Sequence, residues 1–214
     1  KGLTWTISTA PLTKETYGAY KSSFAGVQEL AFDTVGPSLG AELIRKTMYA
    51  VLLSATLILF YVAYRFKNIK FGVSAILAML HDSLVLLGVF SLLGHFLNVE
   101  IDTLFVTALL TILSFSVHDT IVVYDRIREL KKRYGYLEFE DIINRAVVET
   151  MGRSVNNSLT IIFMLLAMYL LGGESTKWFI LALLVGTISG TYSSTFTAAP
   201  ILIAWDKLSH RNKK

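Results

Sequence analysis

Residues 103–130 read TLFVTALLTILSFSVHDTIVVYDRIREL. From Thr103 to Tyr124 the run is apolar and long enough to cross a bilayer, which takes about 20 residues at 1.5 Å per residue. It does not alternate, so it is not a strand of a membrane barrel. Two residues near its end break the pattern, His118 and Asp119. An ionisable group inside a lipid-crossing helix costs about 2.5–3.5 kcal/mol on insertion scales, so Asp119 has to be accounted for. A second pair, His81-Asp82, lies within the preceding apolar run.

Outward from this stretch the pattern repeats. Apolar runs cover 47–66, 71–94, 154–171 and 178–205 as well as 103–124. The chain has 214 residues, 53% hydrophobic and only 17% charged, where water-soluble domains carry about a quarter. One or two ordinary domains cannot bury that excess, so the chain is read as a membrane protein, all-α across the bilayer. Cysteine is absent, which excludes a disulfide scaffold and thiolate metal sites. The net charge is +4, and its placement argues for membrane topology rather than for nucleic acid.

Fourteen Lys and Arg fall on one side of the five runs, in 65–70, 125–153 and 207–214. The loops 95–102 and 172–177 hold only Lys177. The excess of basic residues marks the cytoplasmic side, so the basic tail 206–214 is expected there and the N-terminal piece outside. Residues 1–40 are expected to form part of an extracytoplasmic α+β domain, with strands near 3–9 and 27–35 and a helix over 13–24. Forty residues rarely fold alone. With a Lys rather than a Met at position 1, the chain is expected to be a piece of a longer polypeptide or a processed one. Residues 41–205 form the transmembrane domain. Residues 138–151 read as an amphipathic helix on the inner membrane surface or against the span ends.

Asp82 lies ~16 Å from the cytoplasmic end of its run and Asp119 ~9 Å. Asp is too short to reach the interface, so both face the bundle interior and require a cation, hydrogen-bond donors, water or a proton. Arg153 opens the fourth run, with Asn156, Asn157 and Thr160 behind it on roughly one face. Asp119 paired with Arg153 has the make-up of a proton carrier, or of a static clamp between helices. Asp82 is either functional or an interhelical hydrogen-bond acceptor. His118 and His81 are turned about 100° from their neighbouring acids, which disfavours a His–Asp dyad within one helix. Gly186, Gly190 and Ser194 form a small-residue ladder suited to close helix packing.

The run Ser114–Glu129, SFSVHDTIVVYDRIRE, resembles the signature of the SecF branch of the bacterial SecD/SecF protein-export family. Val35-Gly36-Pro37-Ser38-Leu39-Gly40, His81-Asp82, Arg153-Ser154-Val155-Asn156 and Ser158-Leu159-Thr160 are similar to further family segments. The resemblance covers about residues 27–205. It implies five visible spans of a six-span half, with SecD, separate or fused, as the other half. It further implies a bacterial plasma-membrane protein that uses proton flow to assist preprotein translocation with the SecYEG channel, and that is not an enzyme. Asp119 would be the carrier and Arg153 its partner, with Asp82, His118, Asn156, Asn157 and Thr160 as supporting polar groups. No cofactor is expected, only a proton as coupling ion, with sodium as the alternative. His118 stands where the family usually has Asn. Alternative functions on the same fold are an exporter of lipids or drugs and a non-conducting scaffold.

Overall fold

The structure, a computed structural model, describes residues 14–23 and 37–211. The expected strands at 3–9 and 27–35 lie outside these residues. Helix α1 spans Lys14–Ser23, within the expected 13–24. Unit 1 extends to Met48 and unit 2 runs from Tyr49 to Lys214. In unit 1, the first turns of helix α2 (Pro37–Phe66) carry an i,i+4 ion pair, Lys46 Nζ to Glu42 at 2.8 Å.

Among the described residues of unit 2 the long elements are all helices: the rest of α2, α3 (Ile69–Leu97), α4 (Thr103–Arg133), α5 (Phe139–Leu171), α6 (Lys177–Ser193) and α7 (Ala199–Arg211). Five helical segments are long and apolar enough to cross a membrane. Only Lys67 and Asn68 separate α2 from α3. Lys67 takes the left-handed conformation (φ 53°), and the Asn68 side chain caps α3 by accepting from Lys70 N at 3.0 Å. So short a link makes the two helices antiparallel neighbours. At the opposite membrane end, Asp102 caps α4 by accepting from Phe105 N at 2.8 Å.

The core is divided by depth. Near the basic end, Tyr124 is fully buried with the Phe66 and Phe71 rings edge-on to it, at centroid distances of 5.7 and 4.9 Å. Near the other end, Leu86, Phe90, Phe105 and Leu109 close around Ala182. The membrane stretch of α2 lies at the periphery: Leu53, Phe60 and Tyr64 are exposed while Val62 is buried.

Two features depart from the sequence reading. Residues 138–151 do not form a separate surface helix, because α5 is one helix of 33 residues. At 1.5 Å per residue it is about 50 Å long, so its first half stands beyond the hydrocarbon. Ile142, Ile143 and Ala146 are buried there with Ile127 and Leu130 of α4. The apolar stripe meets protein rather than lipid. The fifth span is also not a plain helix: residues Ser194–Ala198 form a π-helical turn between α6 and α7. Pro200 lacks an N–H and its ring presses on the carbonyl four residues back. A wider turn just upstream accommodates that.

The small-residue ladder of α6 packs on α4. A Cβ at Gly186 would overlap the Ile112 side chain, whereas one at Gly190 would sit 3.4 Å from Ser116 Cβ, an ordinary contact. Gly186→Ala is therefore expected to destabilise the bundle by about 1–3 kcal/mol, the usual cost of overpacking, and Gly190→Ala to leave it nearly unchanged. Thermal unfolding in detergent distinguishes them; equal effects would remove Gly186 as the contact that sets the α4–α6 distance.

Candidate functional site

The interior between α3, α4, α5 and α6 is lined by hydroxyls, and it contains both intramembrane carboxylates. Asp82 on α3 is fully buried. Ser116 of α4 donates to its Oδ2 at 2.5 Å. From α6, Ser193 donates to Oδ2 at 2.6 Å and Ser189 to Oδ1 at 2.7 Å. His81 Nδ1 lies 3.2 Å from Oδ1. Ser189 and Ser193 are four apart, hence on one face of α6. An ionised carboxylate offers about four acceptor positions, and here three hydroxyls and one imidazole nitrogen occupy them. Of the two readings of Asp82, the structure shows the interhelical hydrogen bonds. It also corrects the His–Asp expectation for the first pair: His81 does reach Asp82, because adjacent side chains can bend toward each other at the bundle edge.

Asp119 on α4 is 4% exposed. Ser154 of α5 donates to its Oδ2 at 2.5 Å. Asp119 lies three residues, about 4.5 Å along the helix axis, from Ser116, the α4 hydroxyl bonded to Asp82. Further along the same interface Thr191 of α6 donates to Ser158 of α5 at 2.6 Å. Serines and threonines thus connect α4, α5 and α6 next to both acids, without a Lys or Arg among them.

The expected Asp119–Arg153 ion pair is not formed. Arg153 is exposed and makes no ion pair among the described residues. The residue turned toward Asp119 is its neighbour, Ser154. One residue on a helix is a rotation of about 100°, enough to exchange an inward side chain for an outward one. His118, Asn156, Asn157 and Thr160 are also exposed. Thr160 donates back to the Asn156 carbonyl at 3.0 Å. None of these four contacts either carboxylate. Together with Thr107, Thr111 and Ser114, all exposed on α4, they give the outer faces of α4 and α5 a polar character. Gly186 and Gly190 face Ile112 and Ser116 of α4, and Ser194 is buried with its hydroxyl donating to the Thr191 carbonyl at 3.1 Å.

The residues that sequence reasoning missed are the four serines that hold the acids. Ser189 and Ser193 were legible only as small residues beside the ladder. Their four-residue spacing on a helix opposite an intramembrane acid was the available signal.

Outside the hydrocarbon, Asp125 pairs with Arg65 at the end of α2 at 3.2 Å and with Arg128 on its own helix at 3.0 Å. Arg126 links α4 to α5 through Glu149 at 2.5 Å.

Residues 16–208 match the family model described as protein export membrane protein SecD/SecF, C-terminal. Protein translocase subunit SecF of Thermobaculum terrenum is 51% identical over 191 residues, covering 87% of this chain and 60% of the relative. SecF of Anaerolinea thermophila is 42% identical, covering 87% and 62%. Protein translocase subunit SecDF of Thermus thermophilus is 45% identical over 176 residues, 82% of this chain and 23% of the relative. A crystal structure of SecDF in a super-membrane-facing form superposes with a TM-score of 0.76 at 37% identity, over 95% of this chain and 27% of that one. The chain thus spans about 60% of the length of the SecF relatives.

Proposed function

We propose a function from a fixed premise: this chain belongs to the SecD/SecF family of protein export membrane proteins. It serves as the SecF-type half of a two-part assembly in the bacterial plasma membrane, paired with a SecD-type half. The assembly uses an ion gradient to assist preproteins that cross through the SecYEG channel. The basic ends of the spans face the cytoplasm. The pairing is supported by the polar outer faces of α4 and α5, since exposed Asn156, Asn157 and His118 are poorly suited to lipid and call for a polar neighbour.

The observation that carries the ion-coupled reading is Asp119. It is 4% exposed, bonded to a hydroxyl of the next span, and no Lys or Arg among the described residues pairs with it. A buried carboxylate of this kind is stable with a proton and costly without one. In the mechanism, a proton entering from outside loads Asp119. The neutral carboxyl and Ser154 keep α4 and α5 in the packing seen here. On release of the proton toward the cytoplasm the charge demands a cation, and a rotation of α5 brings Arg153 into the place of Ser154. Two packings of one helix pair, exchanged by one charge, convert proton flow into movement of the spans. A proton crossing the membrane releases about 2.3 kcal/mol per 100 mV.

Proteoliposomes containing SecYEG, its motor and the full-length SecD–SecF pair test the coupling. Late-stage export is expected to slow when a protonophore collapses the proton gradient and to be indifferent to a sodium gradient. Dependence on sodium alone would replace the proton as coupling ion. Dependence on neither would leave the scaffold reading.

A further inference from the structure

A cavity of about 710 Å³ opens at the basic membrane end, between the end of α2 and the facing parts of α4 and α5. Val122 forms its membrane-side wall. The other lining residues are charged, five cationic and three acidic. The acids are all committed. Arg65 and Arg128 flank Asp125 at 3.2 and 3.0 Å. Arg126 bridges Glu129 and Glu149, at 2.5 Å to each. Two lining cations remain, Lys132 on α4 and Arg153 on α5. Both are exposed, and neither has an anionic partner among the described residues.

Most other cations of this membrane end are engaged outside the cavity, by acids or by aromatic rings. Lys70 is paired with Asp206 at 3.2 Å and Lys207 with Glu140 at 2.6 Å. Lys131 lies over the Phe139 ring at 5.1 Å and Arg133 over Tyr134 at 5.6 Å. Lys67 makes no ion pair among the described residues and is not a lining residue of the cavity. The cavity therefore holds two uncompensated cations in a concave place, walled by guanidinium groups that are already fixed by ion pairs. The place is just past Tyr124, where the hydrocarbon gives way to headgroups. A ligand for it must be anionic, small enough for the cavity and present at that depth.

We propose that this cavity binds the phosphodiester of an anionic phospholipid. Lys132 and Arg153 contact the phosphate oxygens from two helices, and Val122 lies on the side from which the acyl chains enter. Arginine offers paired donors to phosphate and lysine a point charge. Basic pockets between spans are suited to such headgroups. Lipid bound there bridges α4 and α5, the two helices that hold Asp119. Arg153 is shared with the proposed proton cycle but Lys132 is not, and lipid retention is read without ion flow, so either reading can fail without the other.

The test uses the full-length SecD–SecF pair, purified in neutral detergent. Native mass spectrometry counts retained lipid, and thermal unfolding is followed after adding phosphatidylglycerol, phosphatidylcholine or inorganic phosphate. Wild type is expected to retain phosphatidylglycerol selectively and to be stabilised by it. Lys132→Gln combined with Arg153→Gln is expected to weaken retention by about 30-fold, from two surface-level charges. Lys132→Gln alone is expected to give an intermediate loss at an exposed position with little effect on folding. Lys67→Gln, the same charge change outside the cavity, should do nothing. The proposal is overturned if Lys67→Gln weakens retention equally, if the double variant keeps its lipid, or if inorganic phosphate stabilises wild type as well as the lipid does.

Discussion

Asp119→Asn is expected to abolish the part of export that depends on the proton gradient and to leave the ATP-driven part intact. Asparagine is nearly isosteric and its carbonyl still accepts from Ser154, the one side chain hydrogen-bonded to Asp119 among the described residues. Folding should therefore be little changed, and what is lost is the ability to exchange a proton. One proton at 100 mV supplies about 2.3 kcal/mol. If that energy acts on a single rate-limiting step, its loss slows the step by up to about 50-fold. Ser154→Ala separates geometry from charge. It removes the hydroxyl and keeps the carboxylate, so Arg153 becomes the natural partner and the unloaded packing is favoured. Export should fall while some gradient dependence survives. Rates measured on the reconstituted full-length pair, with and without protonophore, decide between these. A fully gradient-dependent Asp119→Asn variant would remove Asp119 as the carrier.

The contrast between Asp119 and Arg153 shows how far the sequence could be read. The crossing helices are legible because an apolar run near 20 residues has few alternatives. The burial of Asp82 and Asp119 follows from the shortness of their side chains, and both are buried. The partner of Asp119 is a different kind of question. Arg153 and Ser154 are adjacent, and which one faces inward depends on a helix rotation of about 100° that packing decides. Charge complementarity favours Arg153, and the structure has Ser154.

The same limit applies to the first half of α5. An apolar stripe at helical spacing looks alike whether it meets lipid or protein, and here Ile142 and Ile143 meet α4. The fifth span reads as one apolar run, yet a π turn at Ser194–Ala198 interrupts it, in a form that depends on what packs beside it.

Asp82→Ala should be the most destabilising single substitution in the membrane interior. The carboxylate is the common acceptor for Ser116, Ser189 and Ser193 and lies against His81. It thereby ties α3 to α4 and α6 at mid-depth. Removing it leaves three buried hydroxyls without that acceptor, each unsatisfied group costing about 1–3 kcal/mol. Hydroxyls in helices have a fallback, the carbonyl one turn back, and Ser193 already approaches that of Gly190 at 3.3 Å. The total should therefore fall short of the sum, at about 2–4 kcal/mol with the vacated space included.

Asp82→Asn is the informative control. Its carbonyl keeps one side of the arrangement, and its amide can donate to hydroxyls that turn to accept, so the loss should be near the cost of one imperfect hydrogen bond, about 1 kcal/mol. If Asp82 is structural, export should follow stability across the two variants: poor for Ala, near wild type for Asn. An Asn variant that is stable but has lost gradient-dependent export would instead make Asp82 a second station for the ion. The path between the stations would then run through Ser116, which bonds Asp82 directly and lies one helical turn from Asp119.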